Sequence, residues 1–393
     1  MFERNRNGMS RRGNQRRRRA AVAVYMLISM SVVVGFAALA VDVGMLYNTQ
    51  AELQRTADAA ALASAWELLD EDRLKGGSYL DYVLDESRAS AVTTAAGNPI
   101  LRAAPVVDPS EDVLIGYLAN PYDGTGALDI SNLSQSNAVS VAVQRNASRG
   151  GSVTLYFARF LGADSKDMYA SATAAFADNI VGFEVAGGSG DNVKLLPFAL
   201  HVDIWNALIA GSGGIGDNYG YDKRSGSVYA AGDDLAELNL YPGSGGTQLP
   251  PGNFGTVDIG SNNNSTKDIA RQILYGVSEA DLSYFGGKLT LDDGPLYLNG
   301  DTGLSAGIKD ELEAIKGQAR AIPLFDSVCG PGNNAEYHIV GFAGIRIMDV
   351  KLTGSMRSKH VIIQPGMVVD KTAVPGAGAG PSSYVYRPVQ LVR

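Results

Sequence analysis

Ala20 to Val41 reads AAVAVYMLISMSVVVGFAALAV, without a single charge, and an α-helix needs about 20 apolar residues to cross a bilayer. The segment therefore predicts a transmembrane helix. Beyond it the pattern turns one-sided. From Asp42 to Asp70 there is no proline and only Gly44, so helix is expected to run unbroken to about Asp70. Val43, Leu46, Leu53, Ala57, Ala60, Ala61, Ser64 and Leu68 share one stripe of the helical wheel, with Glu52, Arg55 and Asp58 off it and Gln50 as the exception. Leu62, Trp66 and Leu69 make the opposite side apolar at the far end, which predicts that a globular part closes over that end and packs on these three. Gly76-Gly77 marks the stop.

Ser78 with Asp81 three residues on opens a second helix, closed after Ala96 by Gly97-Asn98-Pro99. Strand patterns follow at Val113 to Leu118, Ala138 to Val143 with Val139, Val141 and Val143 alternating, Val153 to Phe157, and Tyr169 to Phe176. Residues 182 to 264 are rich in Gly, Asn, Asp and Ser around an apolar stretch from Leu195 to Ile209, and read as loops and short strands. Next come a helix Thr266 to Tyr275 capped by Ser265 and stopped by Gly276, a hairpin KLTL-DDGP-LYLN turning at Asp293-Gly294, and a helix Leu304 to Lys316. Strands Arg320 to Phe325, Tyr337 to Val350 and His360 to Val369 precede a Pro375 to Pro381 spacer and a terminal strand Tyr384 to Val392.

The expected class is α+β: a long N-terminal transmembrane helix continuing into a mixed extracytoplasmic domain rich in short strands and loops. The expected divisions are a basic head 1–19, the span 20–41, an extending helix 42–76, a membrane-proximal α+β domain 77–180, a Gly-rich distal α+β domain 181–374, and a spacer with terminal strand 375–393.

Charge orients the span. The first nineteen residues hold eight arginines against Glu3, a net of +7, whereas the rest of the chain has 25 basic and 40 acidic side chains, a net of −15. Arg16, Arg17, Arg18 and Arg19 abut the apolar run, and Arg55 is the only basic residue in the twenty that follow it, so the N-terminus is expected in the cytoplasm and the body outside. The acidic body argues against nucleic-acid binding. Release by cleavage near Ala40 is the alternative to anchoring, but the apolar run exceeds the ~7–15 residues of a signal peptide.

Candidates for chemistry are sparse. Cys329 is the sole cysteine, and His201, His338 and His360 stand far apart without HExxH spacing. No GxSxG elbow occurs, and Cys329 stands nine residues before His338 on an expected loop. Gly211 to Gly216 satisfies GxGxxG but lacks the preceding strand and following helix that the dinucleotide fingerprint needs. Asp217-Asn218, Asp292-Asp293 and Asn299-Gly300-Asp301 offer oxygen ligands of the kind calcium takes, and serve turns equally well. No catalytic set, cofactor or metal is expected, although an anchored hydrolase or binding protein using the Gly-rich region as its cleft is the rival from another class.

The run RRRRAAVAVYMLISMSVVVGFAALAVDVGMLYNTQAELQRTADAAALASAW, about residues 16–66, resembles the N-terminal segment of TadG-like proteins of the tight-adherence (Flp) pilus assembly system in its basic patch, apolar span, AxDVG, Tyr, AELQ and ADAAALA. Weaker likenesses lie in NAVSVAVQRN and VTLYFARFLGADSKDMYASATAAFA, within 138–176, and in 320–350, where YHIVGFAGIRI stands. The resemblance implies a membrane-anchored, non-catalytic extracytoplasmic component of pilus assembly or surface adhesion, with pilin-like proteins as partners. The DxSxS of a von Willebrand A metal site is absent, DPSED at Asp108 being its nearest match. Within the span, Ser31 with Gly35 and Ala40 with Gly44 form small-xxx-small pairs, the spacing that lets two helices approach closely, which suggests homo-oligomerisation or pairing with pilin-like helices.

Overall fold

The computed structural model describes residues 22–122, 126–241, 255–260, 265–300, 306–331, 334–355, 358–376 and 382–392, and the helical backbone from residue 7 to 21. The Arg16 to Arg19 side chains, Leu304, Asp301 and residues 377–381 of the spacer lie outside the described residues. The chain divides into two compact units: residues 1–59, 92–108 and 142–171 form one, and residues 60–91, 109–141 and 172–393 the other.

Helix α1 runs Asn7–Glu67, so the absence of a breaker after Asp42 has the expected effect. Within the first unit the apolar residues Val22 to Val41 are almost all exposed, and the portion Val22–Glu67 is long and apolar enough to cross a membrane. Burial begins at Asp42 and recurs at Thr49, Leu53, Thr56 and Ala57, the three- and four-residue spacing of one helix face. The polar members of this face are satisfied locally: Thr49 Oγ1 donates to the Met45 carbonyl, and Thr56 Oγ1 to those of Glu52 and Asn98. Gln50, which interrupts the apolar stripe, donates to the Tyr169 carbonyl at 3.0 Å, and Gln54 to that of Ser171. Short strands Val153–Thr154 and Ser165–Lys166 pair antiparallel and hold between them a 3-10 turn, Ala158–Leu161. The strand expected to reach Phe157 thus ends early.

In the second unit α1 enters at Ala60 and packs on helix α2, Gly77–Ala96. Ala60, Ala61, Ser64 and Ala65 are buried, as are Val83, Leu84, Ser87 and Ala91. Ser64 Oγ donates to the Ser87 carbonyl at 2.7 Å and Ser87 Oγ to that of Ser64 at 2.9 Å, so the small residues let the backbones approach and leave no buried hydroxyl unpaired. This corrects the expected packing of the opposite side. Trp66 is 48% exposed and Leu62 and Leu69 are half-buried, because the small-residue stripe, and not the bulky one, meets α2.

A four-stranded sheet carries strands Val113–Gly116, Ala138–Arg145, Met168–Ala175 and Gln390–Leu391 in that order. The larger sheet is built on the long strand Glu336–Lys351, which pairs antiparallel with Ala319–Cys329, His360–Pro365 and Leu296–Asn299. Both faces of this sheet are buried. Ala321, Phe325, Ile339 and Phe342 join Phe183, Leu289 and Val368 in one core, while Ile322, Leu324, Ile345 and Ile347 join Trp205, Ile269 and Leu312 from three helices in another. The alternation follows from the two-residue period of strands.

KLTL and LYLN do not form a hairpin. Lys288–Thr290 pairs with Ile180–Glu184, and Leu296–Asn299 with the long strand. An isolated pair of such short strands is barely stable, and each gains more by joining a larger sheet. The helix expected at Leu304 to Lys316 is a short α-helix, Lys309–Ala314, preceded by a 3-10 turn.

Candidate anchor and charged clamp

Asp42 is the first charged residue after the apolar run, and it is only 2% exposed. Its carboxylate accepts the backbone N–H groups of Tyr156 at 2.9 Å, Phe157 at 2.9 Å and Ala158 at 2.7 Å. The first N–H groups of a helical turn have no partners within it, and a carboxylate is their strongest acceptor. Asp42 thus caps the turn Ala158–Leu161 from a distant part of the chain, and Gly162, at φ +89°, closes the turn's other end. The capped loop presents Tyr156, Phe157, Phe160 and Leu161 to the outside, the last two 81% and 83% exposed. Phe157 shares an open groove of about 400 Å³ with Leu27, Ser31, Val34, Gly35 and Ala38.

The small residues Ser31, Gly35, Ala40 and Gly44 of α1 are all exposed. Ser31 Oγ donates to the Leu27 carbonyl at 2.8 Å, and a Cβ added at Gly35 or Gly44 would meet no atom within 4 Å. Ala40 is exposed beside them.

In the second unit a 3-10 turn, Glu71–Lys75, follows α1 and is densely charged. Asp70 caps it by accepting the Asp72 N–H, and Lys223 Nζ reaches Asp70 and Asp72, both at 2.7 Å. Burial alone would raise the pKa of Asp72, but hydrogen bonds from Lys223 and Lys75 outweigh it and hold this carboxyl below its ordinary value. Arg73 is half-buried and donates to the Leu68 carbonyl at the end of α1 and to the Ser134 and Ser136 carbonyls. Arg346, on the long strand and 6% exposed, bonds the Glu71 carboxylate and the Gly317 carbonyl, with its guanidinium 3.4 Å from the Tyr221 ring centroid. Glu71 also accepts the Met367 N–H at 3.1 Å. The turn is therefore clamped between the last residues of α1 and the large sheet. A shallow groove of about 310 Å³ beside it is lined by Trp66, Leu69, Lys223, Arg346 and Met367.

The other candidate residues are occupied in ordinary structural work. His201 Nδ1 accepts the Asp203 N–H and caps a helix, His338 Nδ1 lies 2.8 Å from Asp326, and His360 Nε2 lies 2.7 Å from Asp349. Cys329 is exposed at the end of a strand, in register with Glu336. Asp217 accepts the N–H groups of Asp233 and Asp234, which makes it a turn organiser. Among the described residues no group of three His, Cys, Asp or Glu side chains is arranged to hold a metal ion. The role of Asp42 and the Arg346–Glu71 pair escaped sequence reasoning. The only local signal for Asp42 is that it is the first charge beyond the apolar run.

Two family models match the chain. Residues 20–67 match one described as putative Flp pilus-assembly TadE/G-like, and residues 45–174 match one described as putative Tad-like Flp pilus-assembly. No curated protein and no solved structure matches it. The chain is thus TadG-like over its N-terminal residues, as the pattern from the basic patch to ADAAALA indicated, and these domains point to Flp pilus assembly.

Proposed function

We propose, taking the Tad-type segments of residues 20–174 as the premise, that this protein is a single-pass, non-catalytic component of an Flp-type pilus assembly or adhesion system, with its N-terminus cytoplasmic and its body outside the cell membrane. The observation that carries the reading is the exposed apolar run Val22 to Val41, ending at a buried Asp42 that belongs to the folded body. A twenty-residue uncharged, almost wholly exposed and largely apolar stretch has no place in water, and its length of about 30 Å at 1.5 Å per residue matches the hydrocarbon core of a bilayer. The arginine excess on one side supplies the orientation. Scaffolding is the mechanism: the helix holds the body at the membrane, and pilin-like proteins are its partners.

Protease added to spheroplasts should digest the body, and an alkaline phosphatase fusion at the C-terminus should be active. A protected body with an inactive fusion would reverse the orientation, and recovery of the body in the medium with a mature N-terminus after Ala40 would replace anchoring by release. Deletion of the protein should abolish surface pili in a cell that makes them, and piliation that persists would sink the assembly role.

A further inference from the structure

We infer that the loop Tyr156–Leu161 is a second membrane contact, which inserts Phe160 and Leu161 into the outer leaflet at the boundary between headgroups and acyl chains. The inference rests on the anchored reading above. Three observations carry it. First, the loop's level is fixed by Asp42: three hydrogen bonds tie Tyr156, Phe157 and Ala158 to the residue that directly follows the apolar run. Second, the loop reaches into the apolar length itself, since Phe157 lines a groove with Val34, Gly35 and Ala38, all on the span side of Asp42. Third, its exposed chemistry is that of a membrane interface. Among the described residues of the body Phe160 and Leu161 are the most exposed large apolar ones, Tyr156 and Tyr169 are exposed close by in sequence, Tyr47 is exposed just beyond Asp42 on α1, and the Arg159 guanidinium lies 5.8 Å from the Phe160 ring centroid.

Rings with polar tips collect at the headgroup level, apolar tips enter the acyl boundary, and a cation beside them meets lipid phosphate. A bilayer is the occupant because the patch continues directly into the exposed face of the span, which only lipid or another membrane helix can cover. The loop then sets how deeply α1 sits and prevents it from sliding along the membrane normal.

The test uses the full chain with Cys329→Ser, reconstituted in vesicles of phosphatidylethanolamine and phosphatidylglycerol, and single spin labels at Phe160→Cys, Val33→Cys and Arg224→Cys. Collision with oxygen is compared with collision with a water-soluble nickel chelate. The label at residue 160 should show an oxygen-to-nickel ratio several-fold above that at 224 and close to that at 33. A ratio at 160 equal to that at 224, with a lipid-like value at 33, would overturn the loop contact and leave the anchor standing. Shielding of 160 from both reagents would mean a protein covers it and would also overturn the proposal. An aqueous value at 33 would remove the anchor and the loop contact together. Adding Asp42→Ala should bring the ratio at 160 down toward that at 224, and an unchanged ratio would show that Asp42 does not set the depth.

Discussion

Asp178 is buried in the second unit, with the Asn137 amide donating to it at 3.3 Å. Burial pushes its pKa up to about 6, more than Asn137 and the charge of Arg73 pull it down. The folded chain therefore keeps a proton between about pH 4 and 6 that the unfolded chain has released, so stability falls as pH rises through that window and stays lower above it. At ~1.4 kcal/mol per unit the loss is about 3 kcal/mol at most. Asp178→Asn should flatten the pH 4–6 dependence and raise stability at pH 7 by about 1 to 3 kcal/mol, read from urea unfolding of the full chain in detergent. An unchanged pH profile would show that this carboxyl is not protonated in the native state. Trp66→Ala, at a half-exposed site, should cost about 1 kcal/mol or less, well under the ~3–5 kcal/mol of a buried Trp. Residues whose partners are close in sequence were legible, such as Ser265, which caps its helix by accepting the Asp268 N–H. Asp42 was not, because its partners lie more than a hundred residues away.

Helices with local punctuation came out with their expected ends: Thr266–Tyr275 is bounded by Ser265 and Gly276, and α2 ends at Ala96 before Gly97. Strands were placed along the chain but not in their pairings. Lys288–Thr290 and Leu296–Asn299 are separated by an Asp-Gly turn that favours a hairpin, yet they join different sheets, since burial of Leu289, Leu296 and Leu298 in a common core decides the outcome. The turn Glu71–Lys75 was not legible: its residues were counted in the extending helix 42–76, whereas α1 ends at Glu67. Its clamp makes a definite demand on energy. Arg346→Met leaves Glu71 without its buried partner and should destabilise by about 3 to 5 kcal/mol. The double variant with Glu71→Leu should cost much less than the sum of the two single changes. Additive losses in a double-mutant cycle would mean that the pair is not coupled.

For the whole molecule, the apolar run and the Ala-rich continuation of α1 were readable because a helix imposes a simple periodicity. The body's topology was not, because beside the consecutive strands Ala319–Cys329, Glu336–Lys351 and His360–Pro365 its sheets recruit strands from far away, such as Lys288–Thr290 against Ile180–Glu184 and Gln390–Leu391 against Met168–Ala175. Assembly through the span is the remaining expectation: Gly35 faces open space, so Gly35→Ile should leave the folded body intact while reducing crosslinking between spans, or to pilin-like helices, several-fold. Equal crosslinking would leave the span as an anchor alone. Asp42 and Tyr156 stand 114 residues apart in the chain, and at ~5–20 residues per second the ribosome delivers the second about 6 to 23 s after the first. An anchor helix that enters the bilayer during synthesis thus waits there with the Asp42 carboxylate hydrated, until the segment that caps onto it has been made. In a living cell the last step in seating this helix would then be taken at the membrane surface, after insertion, and a chain truncated before Tyr156 should insert but remain unlatched.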